Sequence, residues 1–206
     1  MKKIKLVAFL ILFLSATLSV VAQDRQVALE VELPAKRSLV TSDIALGGKV
    51  FLPVGNFTVV GDLNFRDAAN LFIAPTDQIT AEGQVWYYLT GREGKAKPFV
   101  FGGITHAMFI GEPVDSTAGL AGFGLAFKTA RGSYIIPTFQ FSSDDLQEDR
   151  TVLGKAYSAK VYIQVALSPN FNLNLTPTFE RRQDPALDYT HYGNVYLVKI
   201  GFSRKF

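Results

Sequence analysis

The chain of 206 residues has no cysteine, two methionines, two histidines and one tryptophan. Without cysteine there is no disulfide scaffold, no thiol nucleophile, no thiolate metal site and no lipid-modified cysteine anchor. Two histidines, His106 and His191, lie far apart and have no acidic or histidine neighbours at ligand spacing, so no metal site is expected. After the first residues no apolar run approaches the ~18 needed for a spanning helix. A large excess of charge is lacking too. The formal net charge is +3, and Lys2, Lys3 and Lys5 account for it. They precede the apolar run Leu6 to Leu14 and the small residues Ser15 to Ala22, the arrangement of a secretory signal peptide. The reading is therefore a cleaved signal over 1–22 and a single domain over 23–206. Once residues 1–22 are removed, the basic residues equal the 18 acidic ones. A neutral mature chain has no basic face for nucleic acid.

What is abundant is alternation. Phe171, Leu173, Leu175, Pro177 and Phe179 interleave with Asn172, Asn174, Thr176 and Thr178. Tyr157, Ala159, Val161, Ile163, Val165 and Leu167 stand against Ser158, Lys160, Tyr162 and Gln164. Phe57 to Phe65 and Val27 to Leu33 repeat the beat. A period of two means strands with one apolar and one polar face. The candidate strands are 26–34, 42–53, 56–66, 78–90, 97–110, 117–129, 132–142, 154–168, 170–181 and 192–206. The count is ten, with eight as the alternative. Most are near or above the ~9–11 residues that cross a bilayer at a tilt. The Gly/Ala-rich segment 117–129 is the least regular, yet Phe123, Leu125 and Phe127 keep the period.

Connections alternate in length. Short turns fall at Val54-Gly55-Asn56, Gly91 to Ala96, Ala130-Arg131-Gly132 and Ser168-Pro169-Asn170, with longer polar links between them. In an up-and-down meander all short turns then lie at one end, as the periplasmic turns of outer-membrane barrels do. The fold class is all-β, an up-and-down antiparallel transmembrane β-barrel.

Period two does not say which face is outside. By parity the polar face carries Glu30, Glu32, Lys49, Asp62, Arg66, Glu82, Lys128, Lys160 and Lys199, together with Trp86, Tyr88 and Tyr162. Charges of both signs mixed with bulky rings suit a narrow lumen where they can pair, whereas charges facing lipid cost several kcal/mol near the midplane. Tyr87, Phe99, Phe101, Phe109, Phe127, Phe139, Phe171 and Phe202 are expected in interfacial girdles on the lipid side.

The carboxy-terminal NVYLVKIGFSRKF ends in an aromatic residue and alternates back from it through Phe202, Ile200 and Val198. In this the chain resembles the small outer-membrane β-barrel superfamily, the OmpA-like and opacity-like barrels. KPFVFGGI (97–104) and LSPNFNLNL (167–175) are similar to strands of that family. The resemblance implies an assembly signal in Phe206, Phe202, Ile200 and Val198, read by the barrel-assembly machinery. Arg204 departs from the family pattern, which has an apolar or aromatic residue there. The segment ending Ala22-Gln23 is similar to signal sequences common in Bacteroidota.

The expected function is an integral outer-membrane barrel, in contact with lipid and lipopolysaccharide, with a structural or surface-interaction role and a largely plugged lumen. No cofactor and no catalysis are expected: Gly-x-Ser-x-Gly, P-loop and dinucleotide fingerprints are missing. Asp144-Asp145 sits in a polar run that reads as a solvated loop. NLFIAP (70–75) is an apolar stretch expected to fold back over the barrel mouth. Two alternatives remain open: a soluble secreted or periplasmic β-barrel that binds a hydrophobic ligand with its faces reversed, and a narrow porin or lipid-modifying barrel enzyme.

Overall fold

A computed structural model describes residues 25–34, 45–66, 78–91, 94–110, 115–129, 132–143, 155–183 and 192–206. The signal segment 1–22, NLFIAP, Asp144-Asp145 and His191 lie outside the described residues.

Ten strands follow in chain order: β1 (Gln26–Pro34), β2 (Ala45–Val54), β3 (Phe57–Arg66), β4 (Gln78–Tyr88), β5 (Ala96–Phe109), β6 (Asp115–Lys128), β7 (Tyr134–Ser143), β8 (Ala156–Ala166), β9 (Phe171–Gln183) and β10 (Tyr192–Lys205). Each pairs antiparallel with its sequence neighbour, and β1 closes the ring by pairing with β10 as well as β2. Gln26 sits opposite Lys205 on one side and Phe51 on the other. Closure leaves no unpaired edge. The strand count is ten, not the alternative eight.

Following the registers once around the ring returns to β1 displaced by about 12 residues, which for ten strands corresponds to a tilt of roughly 40°. Because the displacement is even, the two faces of every strand stay in phase around the barrel.

The turns gather at one end, as the spacing predicts. Gly55 (φ 56) and Gly132 (φ 77) occupy the left-handed region that side chains with a Cβ rarely adopt, so the chain reverses there within a few residues.

The outer face is apolar all round. Leu29, Leu46, Ile104, Phe123, Val165 and Phe202 stand exposed on six different strands, Phe202 at 62%. The inner face buries polar residues instead, among them Gln26, Glu30, Lys49, Gln140, Asn172 and Ser203. This is the reverse of a water-soluble domain, whose polar groups face out.

Phe99 and Phe101 correct the expectation that places them in an outer girdle. Both point into the barrel, 1% and 6% exposed. Trp86 stacks on Phe99 with ring centroids 4.6 Å apart, and Tyr88, Phe101 and Tyr162 complete the cluster. Across the ladder Phe99 faces Gly124 and Phe101 faces Gly122. A Cβ on either glycine would run into the facing ring. The Gly-rich stretch of β6 is therefore the space into which β5 lays its phenylalanines, a pairing of aromatic and glycine that keeps a glycine strand covered.

Candidate functional site: a charged lumen with two cavities

Side chains of like parity converge on the barrel axis, so residues distant in sequence meet there. Lys49, midway along β2, stands opposite Asp62 of β3, which stands opposite Glu82 of β4. The Lys49 ammonium lies 3.0 Å from Asp62 Oδ2 and 3.8 Å from Glu30 Oε2. From across the lumen Lys199 of β10 reaches the same Asp62 oxygen at 3.3 Å, and Glu32 at 3.7 Å. Asp62 thus bridges two lysines brought together by ring closure. Asn64 fixes the arrangement, donating to Asp62 Oδ1 at 2.7 Å while accepting from Lys199 at 3.0 Å.

A second string of contacts leads from the charges to the aromatic cluster. Lys160 lies 4.0 Å from Glu82 and donates to Gln140 at 3.3 Å. Gln84 donates to Glu82, and the Trp86 indole N–H donates to Gln84 Oε1 at 2.6 Å. Lys49 also stands 4.6 Å from the centre of the Tyr162 ring, where the π-face attracts a cation. Acids and bases at close quarters offset much of the cost of burial, since each charge has a partner of opposite sign.

Of the expected lumen residues, the structure brings together Glu30, Glu32, Lys49, Asp62, Glu82, Lys160 and Lys199. Lys128 stands apart. It closes β6 on the inner face at the turn end, where it is exposed. Arg66 ends β3, and its side chain is outside the described set. Sequence reading did not single out Asn64 or the Gln26–Ser203–Asn172–Asn174 network. In that network Gln26 donates to Ser203, Asn172 donates to Ser203 at 3.3 Å, and Ser203 donates to Asn174 at 3.2 Å. These residues were legible only as polar positions of β1, β9 and β10, because their meeting depends on closure.

Val198, Ile200, Phe202 and Phe206 share the outer face of the last strand, with Ile200, Phe202 and Phe206 exposed. Arg204 lies in the same row, 4.9 Å from the Phe206 ring centre and 5.7 Å from that of Phe171. His106 is on the outer parity of β5, its Nδ1 2.8 Å from Thr117 Oγ1. It is therefore remote from the luminal carboxylates. Among the described residues no three His, Cys, Asp or Glu side chains are grouped to hold a metal ion.

Two cavities lie along the lumen, and the charged layer lines the first of them. One, of about 140 Å³, lies toward the long loops and is lined by acids and bases together, including Glu32, Glu180, Arg182 and Lys199. The other, of about 300 Å³, opens toward the short turns.

No protein-family model matches the chain, and no curated protein matches it. Several solved structures align with it. The translocator domain of the autotransporter NalP from Neisseria meningitidis aligns at 12% identity over 99% of this chain and 96% of that one, with a TM-score of 0.49. The N-terminal β-barrel domain of Pseudomonas aeruginosa OprF aligns at 10% identity over 89% of this chain and 98% of that one, TM-score 0.39. The anion-selective porin from Comamonas acidovorans aligns at 14% identity over 79% of this chain, TM-score 0.41, and this chain spans 49% of that porin's length.

Proposed function

We propose that the chain is an integral outer-membrane β-barrel with a structural or surface-interaction role, its lumen filled by side chains rather than kept open for diffusion. The observation that carries the reading is the continuous apolar outer face around a closed ring with its charges turned inward. Such a face is much larger than the apolar patches soluble monomers expose. Lipid accepts it, and ring closure satisfies the backbone groups that lipid cannot. A ten-residue strand at this tilt rises about 25 Å, the height of the apolar band in outer-membrane barrels. The short turns then face the periplasm and the long loops face outward. The row Val198, Ile200, Phe202 and Phe206 is the segment offered to the barrel-assembly machinery during insertion, and lipid and lipopolysaccharide surround the finished barrel.

The soluble reading, in which a lipocalin-like barrel keeps its apolar residues inside, requires the opposite placement of Leu29, Phe123 and Phe202.

Two measurements test the proposal. Retention in the membrane pellet after alkaline carbonate, with heat-modifiable gel migration, is expected; complete extraction would overturn the membrane reading. In planar bilayers the protein is expected to give no steady large conductance, since Lys49, Asp62, Lys199 and Tyr162 meet near the axis. Stable open channels would overturn the filled lumen and leave the membrane reading intact.

A further inference from the structure

Among the described residues the two ends of the barrel differ in charge. At the short-turn end the described residues include Arg25, Lys95, Lys97, Lys128, Arg204 and Lys205, with no carboxylate side chain among them. Three of these cations, Lys97, Lys128 and Lys205, come from β5, β6 and β10 and line the cavity of about 300 Å³ that opens at this end. Gln26 and Gln164 also line it, and so do Trp86, Tyr88 and Tyr134. Lys205 stands 5.9 Å from the Tyr134 ring centre, and Gln164 donates to Gln26 at 3.3 Å. Thr58 contributes to the wall as well, and its hydroxyl has no hydrogen-bond partner. The loop-side cavity is lined by the carboxylates Glu32, Asp62, Glu82 and Glu180 as well as by bases.

We propose that the turn-end cavity is a binding site for a small organic polyanion, one carrying two or more phosphate or carboxylate groups on a compact body. A concave wall of low dielectric constant lined by charges of one sign concentrates the field and gathers counter-ions of the other sign. Lysines supply mobile point charges that adapt to phosphate or carboxylate, and the glutamine amides and the Thr58 hydroxyl supply neutral donors. The volume is at the lower end of the range for small-molecule sites, so the ligand is a small molecule or the anionic end of a larger one. The site rests on the barrel and its cavity; the membrane reading only adds that the periplasm is the compartment supplying the ligand.

Trp86 is the chain's one tryptophan and lies in the cavity wall, so it serves as a built-in donor. The folded full barrel in a neutral detergent is titrated with pyrenetetrasulfonate, and energy transfer from Trp86 is followed, with inorganic pyrophosphate as competitor. Saturable one-site transfer, reversed by pyrophosphate and weakened by salt, is expected. Combining Lys97→Gln, Lys128→Gln and Lys205→Gln is expected to weaken binding by at least about tenfold, since three charges of a focusing cleft are removed. A control with Lys95→Gln and Arg204→Gln, cations of the same end that do not line the cavity, should stay within about twofold. Lys128→Gln alone, at an exposed position, covers the case in which the triple variant fails to fold, and about threefold weaker binding is expected of it. The proposal is overturned by non-saturable transfer in the native sequence, by unchanged affinity in the lysine variants, or by an equal loss in the control. None of these outcomes depends on carbonate extraction, so this site and the membrane reading fail separately.

Discussion

Asp62 is the residue on which the lumen turns. Its two oxygens serve Lys49, Lys199 and Asn64, and its side chain is 9% exposed. Replacing it by Asn would leave two enclosed ammonium groups facing each other with Glu30 and Glu32 as the remaining acids. Removing one partner of a buried pair costs ~3–5 kcal/mol, and the adjoining polar cavity places this case near the low end. Denaturant unfolding from lipid should show a loss of about 3 kcal/mol for Asp62→Asn; a change under ~0.5 kcal/mol would mean that the cluster is solvated and its geometry is of little consequence. The charges themselves were legible as inward by parity, but their partners were not. Parity says which face a side chain occupies and nothing about its height along the axis. For that reason Lys128, on the same face as Lys160, ends at the turn-side mouth while Lys160 joins the charged layer.

The strand pair β5–β6 illustrates what a period of two can and cannot disclose. On β5 both faces are apolar, Val100, Gly102 and Ile104 on one and Phe99 and Phe101 on the other. The polar cues lie toward the ends, Lys97 and Thr105 on the parity of the phenylalanines against His106 on the other, and the expectation of an outer girdle went the wrong way. The register decides which set is inside, because it sets the two phenylalanines opposite Gly124 and Gly122. Gly124→Val would displace Phe99 from Trp86, an overpacking that typically costs ~1–3 kcal/mol. A matching change in the emission of Trp86 is expected; an unchanged spectrum and stability would show that the rings do not need that space. On β10 the alternation was unambiguous, with Lys199 inward and Ile200 outward. Ile200→Arg, near the middle of the strand, should cost ~2–4 kcal/mol in a bilayer, because it sets a charge against hydrocarbon. Equal stability of this variant and the native sequence in lipid would argue that the face is wet.

For the whole molecule, strand number, closure and the segregation of short turns to one end were legible, since each follows from local alternation and turn chemistry. The stagger of the ring was not. It arises from ten registers taken together, and it brings Lys199 of β10 to Asp62 of β3. The charge difference between the ends, as far as the described residues go, also belongs to this scale, for it emerges only when strand ends remote in sequence are gathered on one side. The account's central claim is that the apolar faces point to lipid and the polar faces inward. Because the chain has no cysteine, single cysteines can be placed one at a time along β8, from Tyr157 to Val165, and labelled with a polarity-sensitive fluorophore in lipid vesicles. Labels at 157, 159, 161, 163 and 165 should report hydrocarbon and be quenched by lipid-borne nitroxides, while those at 158, 160, 162 and 164 should not. The inverse pattern, or an aqueous signal at every position, would contradict the account.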